Sequence, residues 1–340
     1  MADNDTLGLE AYAGISEATC YEWKSAMPVL PLCQIAISST DYERALRWYR
    51  GVFGFVPANR LDDVHSDQVR EIQGLPDSWI DVRWLMGQQD SLQLEFFNFR
   101  RPQVRPVPAD WKPSDIGYAS LGIHVADFDA TLTNIARFGG RPLTAPMGKA
   151  GRRRVCVPDP DGILLELMED NPLAANAANR ARPSLPSAAT SITISVPNLA
   201  QARRFWVDAL GIPEAKGMSL HGPVHESLWG LSGAHREILL LQAGDFLVEL
   251  AHYLDPAPRP RPAGWWLADQ GISHLAVRPE TVEHFDELYD RAVAAGYRSN
   301  CEPVNMDLGK AVYLNDEQGF TLELFYCSKE GEPALGFAPE

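Results

Sequence analysis

The stretch VYLNDEQGFTLEL, residues 312–324, carries the pattern that decides the fold. Apolar residues on both sides of a central turn predict two short strands joined as a hairpin, with Glu323 in the second strand. A near copy, VCVPDPDGILLEL, spans residues 155–167 and places Glu166 at the matching position, 157 residues earlier. Two copies of one hairpin indicate that the chain arose by duplication.

The duplication extends along most of the chain. Residues 191–212 align with residues 34–55 at the same offset of 157, and residues 243–253 align with the strand around Glu95 at an offset of 154. Within each half, a strand, a helix and further strands occur twice. The sequence therefore predicts four βαβββ units, at about 30–102, 115–172, 189–254 and 269–328.

The first unit shows the local signals most clearly. Residues 42–53, YERALRWYRGVF, place apolar side chains at helical spacing. Thr40 or Asp41 is suited to cap the start of this helix, and Gly54 is suited to end it. The unit boundaries divide the chain into an N-terminal arm (1–27), an N-terminal domain of two units (28–172), a linker (173–188), a C-terminal domain of two units (189–328) and a tail (329–340).

Composition excludes several classes of function. The net charge of −15 and the pI near 5.0 argue against a nucleic-acid surface, which needs a basic footprint. No apolar run approaches the roughly 20 residues that span a bilayer, so no membrane partner is expected, and the N-terminus does not resemble a secretory signal. Five widely spaced cysteines without a CxxC motif predict a cytoplasmic protein.

Two motifs carry a resemblance to a known family. The first is strand, Asp, helix with Trp or Tyr, then Gly-Phe, and the second is the closing DPDG-x₃-E of residues 159–166, degraded at 316–323. In the first unit, the first motif consists of Ile35, Asp41, Trp48, Tyr49, Gly54 and Phe55. This pattern resembles the vicinal oxygen chelate superfamily, which includes glyoxalase I, extradiol dioxygenases and bleomycin resistance proteins. The resemblance implies an α+β fold in which four βαβββ modules pair into two cup-shaped mixed-sheet domains.

The resemblance also implies the positions of metal ligands, on the first and last strands of each unit. Two successive units are expected to form each cup. The C-terminal cup then has His274, Glu249 and Glu323 as ligands of one divalent metal (Fe, Mn, Ni, Co or Zn), with Ser191 in the fourth place. The N-terminal cup lacks a histidine at these positions and is expected to be degenerate; its residues are Gln34, Glu95, Ser120 and Glu166.

The implied activity is that of a metal-dependent lyase or isomerase acting on a small molecule with vicinal oxygens, through Lewis-acid stabilisation of an enolate or oxyanion. Glu249 is a candidate base, and Tyr313 a candidate substrate contact, although a packed aromatic also fits Tyr313. The first alternative is an extradiol ring-cleaving dioxygenase, which Ser191 disfavours because a histidine is expected there. The second is a metal-free drug- or metabolite-binding protein of the bleomycin-resistance type.

The substrate itself has two suggested properties. Trp111, Trp265 and Trp266 suit an aromatic ligand, although tryptophans near crossovers also simply pack. Arg153 and Lys310 match across the repeat and suit an anionic ligand, although a solvated turn fits them as well. A homodimer is compatible with this class of protein.

Overall fold

A computed structural model describes residues 30–174 and 181–339. The arm expected at 1–27 lies outside the described residues, as do positions 175–180 of the linker and the last residue of the tail. Within the described residues the chain forms the four predicted units, each beginning with a strand and a helix.

The elements of the first half belong to units one and two. Unit one contains β1 (Leu32–Ser38), α1 (Tyr42–Phe53), β2 (Val56–Val64), α2 (Asp67–Gln73), β3 (Trp79–Met86) and β4 (Gln93–Arg101). Unit two contains β5 (Gly117–Val125), α3 (Phe128–Arg137), β6 (Arg154–Pro158) and β7 (Leu164–Met168).

The elements of the second half belong to units three and four. Unit three contains β8 (Ser187–Ser195), α4 (Leu199–Arg203) with a π-helical continuation (Arg204–Ala209), a 3-10 helix (Pro223–Trp229), β9 (His235–Ala243) and β10 (Phe246–Asp255). Unit four contains β11 (Gly271–Val277), α5 (Val282–Ala294), β12 (Arg298–Ser299), β13 (Val304–Met306), β14 (Gly309–Asn315) and β15 (Thr321–Cys327).

The first helix of every unit starts in the same way. The side chains of Asp41, Asp127, Asn198 and Thr281 each accept a hydrogen bond from the backbone N–H three residues further on. These side chains satisfy N–H groups that have no partner within the helix. Because the cap fixes where each helix begins, the residue seven positions earlier takes an equivalent place on the first strand of each unit.

The closing hairpins are shaped by their aspartates. Asp159 accepts hydrogen bonds from the backbone N–H groups of Asp161 and Ile163, both at 2.8 Å. Asp316 makes the equivalent bonds in the second hairpin. Gly162 and Gly319 have φ values of 84° and 85°, a left-handed conformation that favours glycine. The predicted hairpins are confirmed, and their turn chemistry explains the DPDG motif.

Within the described residues the strands form one sheet of nine and one of six. In the larger sheet, β1 pairs antiparallel with β11, so that unit one lies beside unit four. In the smaller sheet, β5 pairs antiparallel with β8, so that unit two lies beside unit three. The α+β fold of two cups built from paired modules is therefore confirmed.

The partners in each cup differ from the expected ones. We expected units one and two to share a cup, and units three and four the other, whereas each sheet joins one unit from each half. Reciprocal contacts between the halves accompany this exchange. Arg105, after β4, pairs with Asp269 at 2.5 Å, and Arg259, after β10, pairs with Asp115 at 2.7 Å.

The first helix of each unit packs on the outer face of the sheets and contributes to the main apolar core. Tyr49, Phe53, Phe96, Phe205 and Phe285 are among its fully buried side chains. Burying such rings is the main source of folding free energy. The opposite sheet faces form the cups, which carry smaller apolar clusters interrupted by buried polar residues. No helix within 30–174 or 181–339 is long and apolar enough to cross a membrane.

Candidate metal centre

Three predicted ligand residues meet in the cup of the nine-stranded sheet. Glu95 on β4, His274 on β11 and Glu323 on β15 each offer one ligand atom, and these atoms lie within 4.8 Å of one another. His274 Nε2 lies 3.4 Å from Glu323 Oε2 and 4.0 Å from Glu95 Oε2. Two atoms bound to one ion at about 2.1 Å are themselves about 3 to 4 Å apart. The spacing therefore fits a single divalent ion.

Gln34 is the fourth residue of this candidate metal centre. It occupies the position on β1 that matches the position of His274 on β11. Glu95 lies beside Ala36 in the parallel pairing of β4 with β1, and Glu323 lies beside Ala276 in the pairing of β15 with β11. Ala36 and Ala276 stand two residues after Gln34 and His274, respectively. Gln34 is thus the counterpart of His274, as Glu95 is of Glu323.

Two fully buried atoms of this set have no hydrogen-bond partner in the part of the chain that the structure describes. They are Gln34 Oε1 and His274 Nε2, and both are buried. A buried polar atom without a partner costs about 1–3 kcal/mol. Both atoms are good metal ligands, so an ion bound between them would remove this cost. The residues present therefore fit a divalent metal.

The electrostatics of the cup also favour a cation. Burial raises the pKa of Glu95, and the nearby Glu323 carboxylate raises it further. Burial raises the pKa of Glu323 as well, and it lowers the pKa of His274 to about 4. Two close carboxylates in apolar surroundings resist ionisation unless a positive charge lies between them. A bound divalent ion supplies that charge.

Neighbouring side chains hold the ligands in position. Trp84 Nε1 donates to Glu95 Oε1 at 3.0 Å. Ser273 Oγ lies 3.2 Å from His274 Nδ1, which leaves Nε2 directed at the two carboxylates. The buried ring of Tyr313 packs against the imidazole of His274, with 4.7 Å between ring centroids. Tyr313, a predicted catalytic residue, therefore lies in this cup.

The chain after β15 closes one end of the same cup. Phe337 is buried in the apolar cluster that contains Tyr313, and it stacks on Phe325. Gly336 lies so close to the Trp84 ring that a Cβ atom would meet it at 2.6 Å. Gln93 Nε2 donates to Leu335 O at 3.1 Å. The segment predicted only as a tail is therefore part of the cup wall.

The six-stranded sheet forms a second cup, which is occupied by the protein's own cations. His221, from the loop before the 3-10 helix, lies between Glu166 and Glu249: Nε2 is 3.1 Å from Glu166 Oε2, and Nδ1 is 2.8 Å from Glu249 Oε1. Burial alone lowers the pKa of His221, but the two carboxylates outweigh it and raise the pKa to about 9. The imidazolium therefore occupies the place between the carboxylates.

Two arginines complete this network. Arg154 Nη1 lies 3.2 Å from Glu166 Oε1, and Arg236 Nη1 lies 2.7 Å from Glu249 Oε1. Arg236 also pairs with the buried carboxylate of Glu226. Three cations and three carboxylates balance one another. His221 and Arg154 lower the pKa of Glu166 to about 2 despite its burial.

The structure groups the predicted site residues differently from the sequence. Glu249 was expected beside His274, but it lies on β10 in the second cup, and Glu95 takes that place. Ser120, Glu166 and Ser191 also belong to the second cup. The difference arises because units one and four share one sheet and units two and three share the other. Each candidate position was identified within its own unit, but the units were grouped into the wrong cups.

The network of the second cup was not predicted. His221 lies in an irregular stretch of unit three, where neither a helical nor a strand period predicts its position. Arg153 and Lys310, the predicted anion-binding pair, instead form ion pairs within the chain. Arg153 pairs with Asp129 and Glu169, and Lys310 pairs with Asp286.

The comparison with protein families agrees with this architecture. The family model of the Glyoxalase/Bleomycin resistance protein/Dioxygenase superfamily matches residues 32–167 and 189–324. These segments cover both halves of the repeat and most of the chain. The chain therefore belongs to this superfamily. No curated protein matches the chain.

Two solved structures show how far the likeness extends. Glyoxalase I from Zea mays superimposes with a TM-score of 0.61 at 15% identity, covering 90% of this chain and 96% of the maize chain. A Bacillus subtilis protein, named provisionally as a dioxygenase, gives a TM-score of 0.57 at 12% identity, covering 90% of each chain. At such low identities the likeness shows the fold and not the activity.

Proposed function

We propose that the chain is a metal-dependent enzyme whose active site is the cup of the nine-stranded sheet. Its ligands are Gln34, Glu95, His274 and Glu323. The observation that supports this most strongly is that Gln34 Oε1 and His274 Nε2 are both buried without a partner and occupy symmetry-related positions on β1 and β11. Four protein ligands leave room for a substrate on Fe²⁺, Mn²⁺, Co²⁺ or Ni²⁺, which accept six, and Zn²⁺ expands its coordination when needed.

The reaction we propose is of the lyase or isomerase type, on a small molecule with two adjacent oxygen atoms. A bound divalent ion acts as a Lewis acid at such oxygens. Glu95 and Glu323 are the candidate proton acceptors, because both carboxylates lie in the cup beside the metal position. Tyr313, in the same cup, would contact the substrate. Four free cysteines in the described part of the chain are consistent with a cytoplasmic location.

Ring-cleaving dioxygenase activity is the second candidate, favoured by the packing of Tyr313 on His274. The site offers one histidine and two carboxylates with an amide, whereas non-haem Fe²⁺ oxygenases use two histidines and one carboxylate. Gln34 stands where the second histidine would be needed. We therefore place lyase or isomerase chemistry first.

A chelation experiment tests the proposal. Protein loaded with Co²⁺ is titrated with acetohydroxamate, which presents two adjacent oxygens, and the visible absorption of the ion is followed. We expect a saturable change with one equivalent per chain, absent in His274→Ala. No change with loaded wild-type protein would overturn the proposal.

Turnover then distinguishes the reaction types. If the enzyme is a lyase or an isomerase, we expect it to exchange the α-proton of a hydroxyketone with deuterated solvent. Oxygen-dependent cleavage of a catechol by the Fe²⁺ form would establish the dioxygenase instead. Ligand binding that is unaffected by removing the metal would favour a binding protein.

A further inference from the structure

A second cavity lies between the two halves of the chain, at the ends where β5, β7, β11 and β15 begin. It has a volume of about 780 Å³, counting the part open to solvent. Each half contributes the same two segments of the repeat, near residues 107–118 and 162–164 in the first half and 261–273 and 319–321 in the second.

Four aromatic side chains form walls of this cavity. Trp111 and Trp265 are equivalent residues of the two crossovers, and Trp266 and Tyr118 lie beside them. All four rings are only partly buried, so that they retain surface that faces the cavity. Aromatic rings bind planar apolar groups by stacking and edge contacts. The body of a ligand here is therefore expected to be flat and aromatic.

The two halves differ in polarity at equivalent positions. The first half presents Val107, Ile116 and Leu164, whereas the second presents Arg261, Gln270 and Thr321 at the same places. One side of the cavity is therefore apolar and the other polar. A matching ligand has an apolar body and one polar end.

Arg261 determines the charge of that polar end. Its Nη1 donates to Gly319 O at 2.6 Å, and its guanidinium lies 4.0 Å from the ring centre of Phe320. Among the described residues no carboxylate lies within ion-pair distance of it, unlike Arg105 and Arg259 of the same crossovers. Burial lowers the pKa of Arg261. A half-buried guanidinium without an anion leaves N–H groups to bind one.

One carboxylate influences Arg261 from a distance. Asp316 interacts with it electrostatically, but the Oδ1 atom of Asp316 is engaged by backbone N–H groups of its own turn. Burial raises the pKa of Asp316 to about 6. Asp316 therefore reduces the positive potential of the site without occupying the guanidinium.

We propose that this cavity binds a small planar aromatic carboxylate, with its ring between the tryptophans and its carboxylate on Arg261. The site is distinct from the metal centre and goes beyond the proposed enzymatic function. Ser273 lines the cavity next to His274, but none of the four candidate metal ligands, Gln34, Glu95, His274 and Glu323, lines it. An aromatic carboxylate bound here is therefore a second ligand of the protein.

Calorimetric titration with 2-naphthoate and its neutral isostere 2-naphthamide tests the site. We expect one naphthoate per chain, bound at least tenfold more tightly than the amide. Arg261→Gln should reduce the naphthoate affinity to that of the amide and leave the amide affinity unchanged. The control Arg137→Gln removes an exposed arginine of α3 and should change neither. Equal naphthoate affinity in Arg261→Gln, or no binding to the wild type, would overturn the proposal.

Two further variants locate the bound probe and remain informative if Arg261→Gln does not fold. Val107→Trp fills the apolar side of the cavity and should abolish binding of both probes. Glu323→Gln disrupts the metal centre and should leave naphthoate binding unchanged. Loss of binding in Glu323→Gln, with retention in Val107→Trp, would place the probe in the metal cup and refute the separate site, whether or not the enzymatic proposal holds.

Discussion

Glutamates at equivalent positions of the repeat have opposite electrostatic environments in the two cups. Glu95 and Glu323 lie in apolar surroundings close to each other, and burial raises the pKa of both. Glu166 and Glu249 are equally buried, but His221 lowers the pKa of both, together with Arg154 at Glu166 and Arg236 at Glu249. One pair of carboxylates therefore lacks a cation, whereas the other already has three.

Replacing Tyr313 by Phe tests its role in the proposed reaction. The ring packing on His274 is kept, so metal content should be unchanged. Loss of a hydroxyl that donates a hydrogen bond or a proton to the substrate should lower kcat by about 10²–10⁴-fold. The measurement is steady-state kinetics together with metal analysis. Unchanged kcat would identify Tyr313 as a packing residue only.

His221 should make stability depend on pH. Its pKa of about 9 in the folded state exceeds the ordinary value of 6.5, so its stabilising contribution is complete below pH 6.5 and is lost as the pH rises through 9. A difference of this size corresponds to on the order of 3 kcal/mol in the free energy of unfolding. Urea unfolding at pH 6.5 and pH 9.5 should show this loss in the wild type.

The variant His221→Gln provides the comparison for that measurement. It removes the titrating group while keeping a hydrogen-bonding side chain of moderate size. The variant should be less stable than the wild type at pH 6.5, and the difference should shrink towards pH 9.5. A difference that stays constant across this range would contradict the assignment of an imidazolium.

At the scale of elements, the local sequence predicted much of the structure. Helix α1 begins after Asp41 and ends before Gly54, as its capping residues indicated. Both closing hairpins form where their Asp and Gly residues predicted them. These features depend on contacts between residues close in sequence. Placing the loop that contains His221 requires contacts with Glu166, 55 residues away, which no local pattern encodes.

The segment after β15 is expected to control access to the metal centre. Deleting residues 329–340 removes Phe337 from the apolar cluster that contains Tyr313 and uncovers Trp84, the hydrogen-bond donor to Glu95. We expect metal release to a chelator to become at least tenfold faster, measured by stopped-flow mixing with a chromogenic chelator. Phe337→Ala should have a smaller effect because the backbone contacts remain. A release rate equal to that of the full chain would contradict this role.

At the scale of the whole molecule, the sequence predicted four units and two cups but not which units share a cup. The four units present similar strand edges, so β1 can pair with β5 or β11 by pattern alone. The exchange places Gln34 and Glu95 with His274 and Glu323, and this gives one complete ligand set. The expected grouping with Glu249 would have had serine in place of glutamine.

The asymmetry of the two cups leads to a prediction about stoichiometry. The first cup combines two carboxylates with unpartnered Gln34 and His274 atoms, whereas in the second the carboxylates are neutralised by His221, Arg154 and Arg236. A divalent cation in the second cup would have to displace a buried imidazolium and meet two arginines. We therefore expect one metal ion per chain.

Elemental analysis of untagged protein, purified without chelators, tests the central claim most directly. The wild type should contain one equivalent of Fe, Mn, Co, Ni or Zn, or take it up on reconstitution, and Glu323→Gln should lose it. The equivalent variant Glu166→Gln should retain it, although leaving buried cations unpaired should cost about 3–5 kcal/mol of stability. Folded Glu323→Gln with full metal content, or metal lost only from Glu166→Gln, would contradict the account.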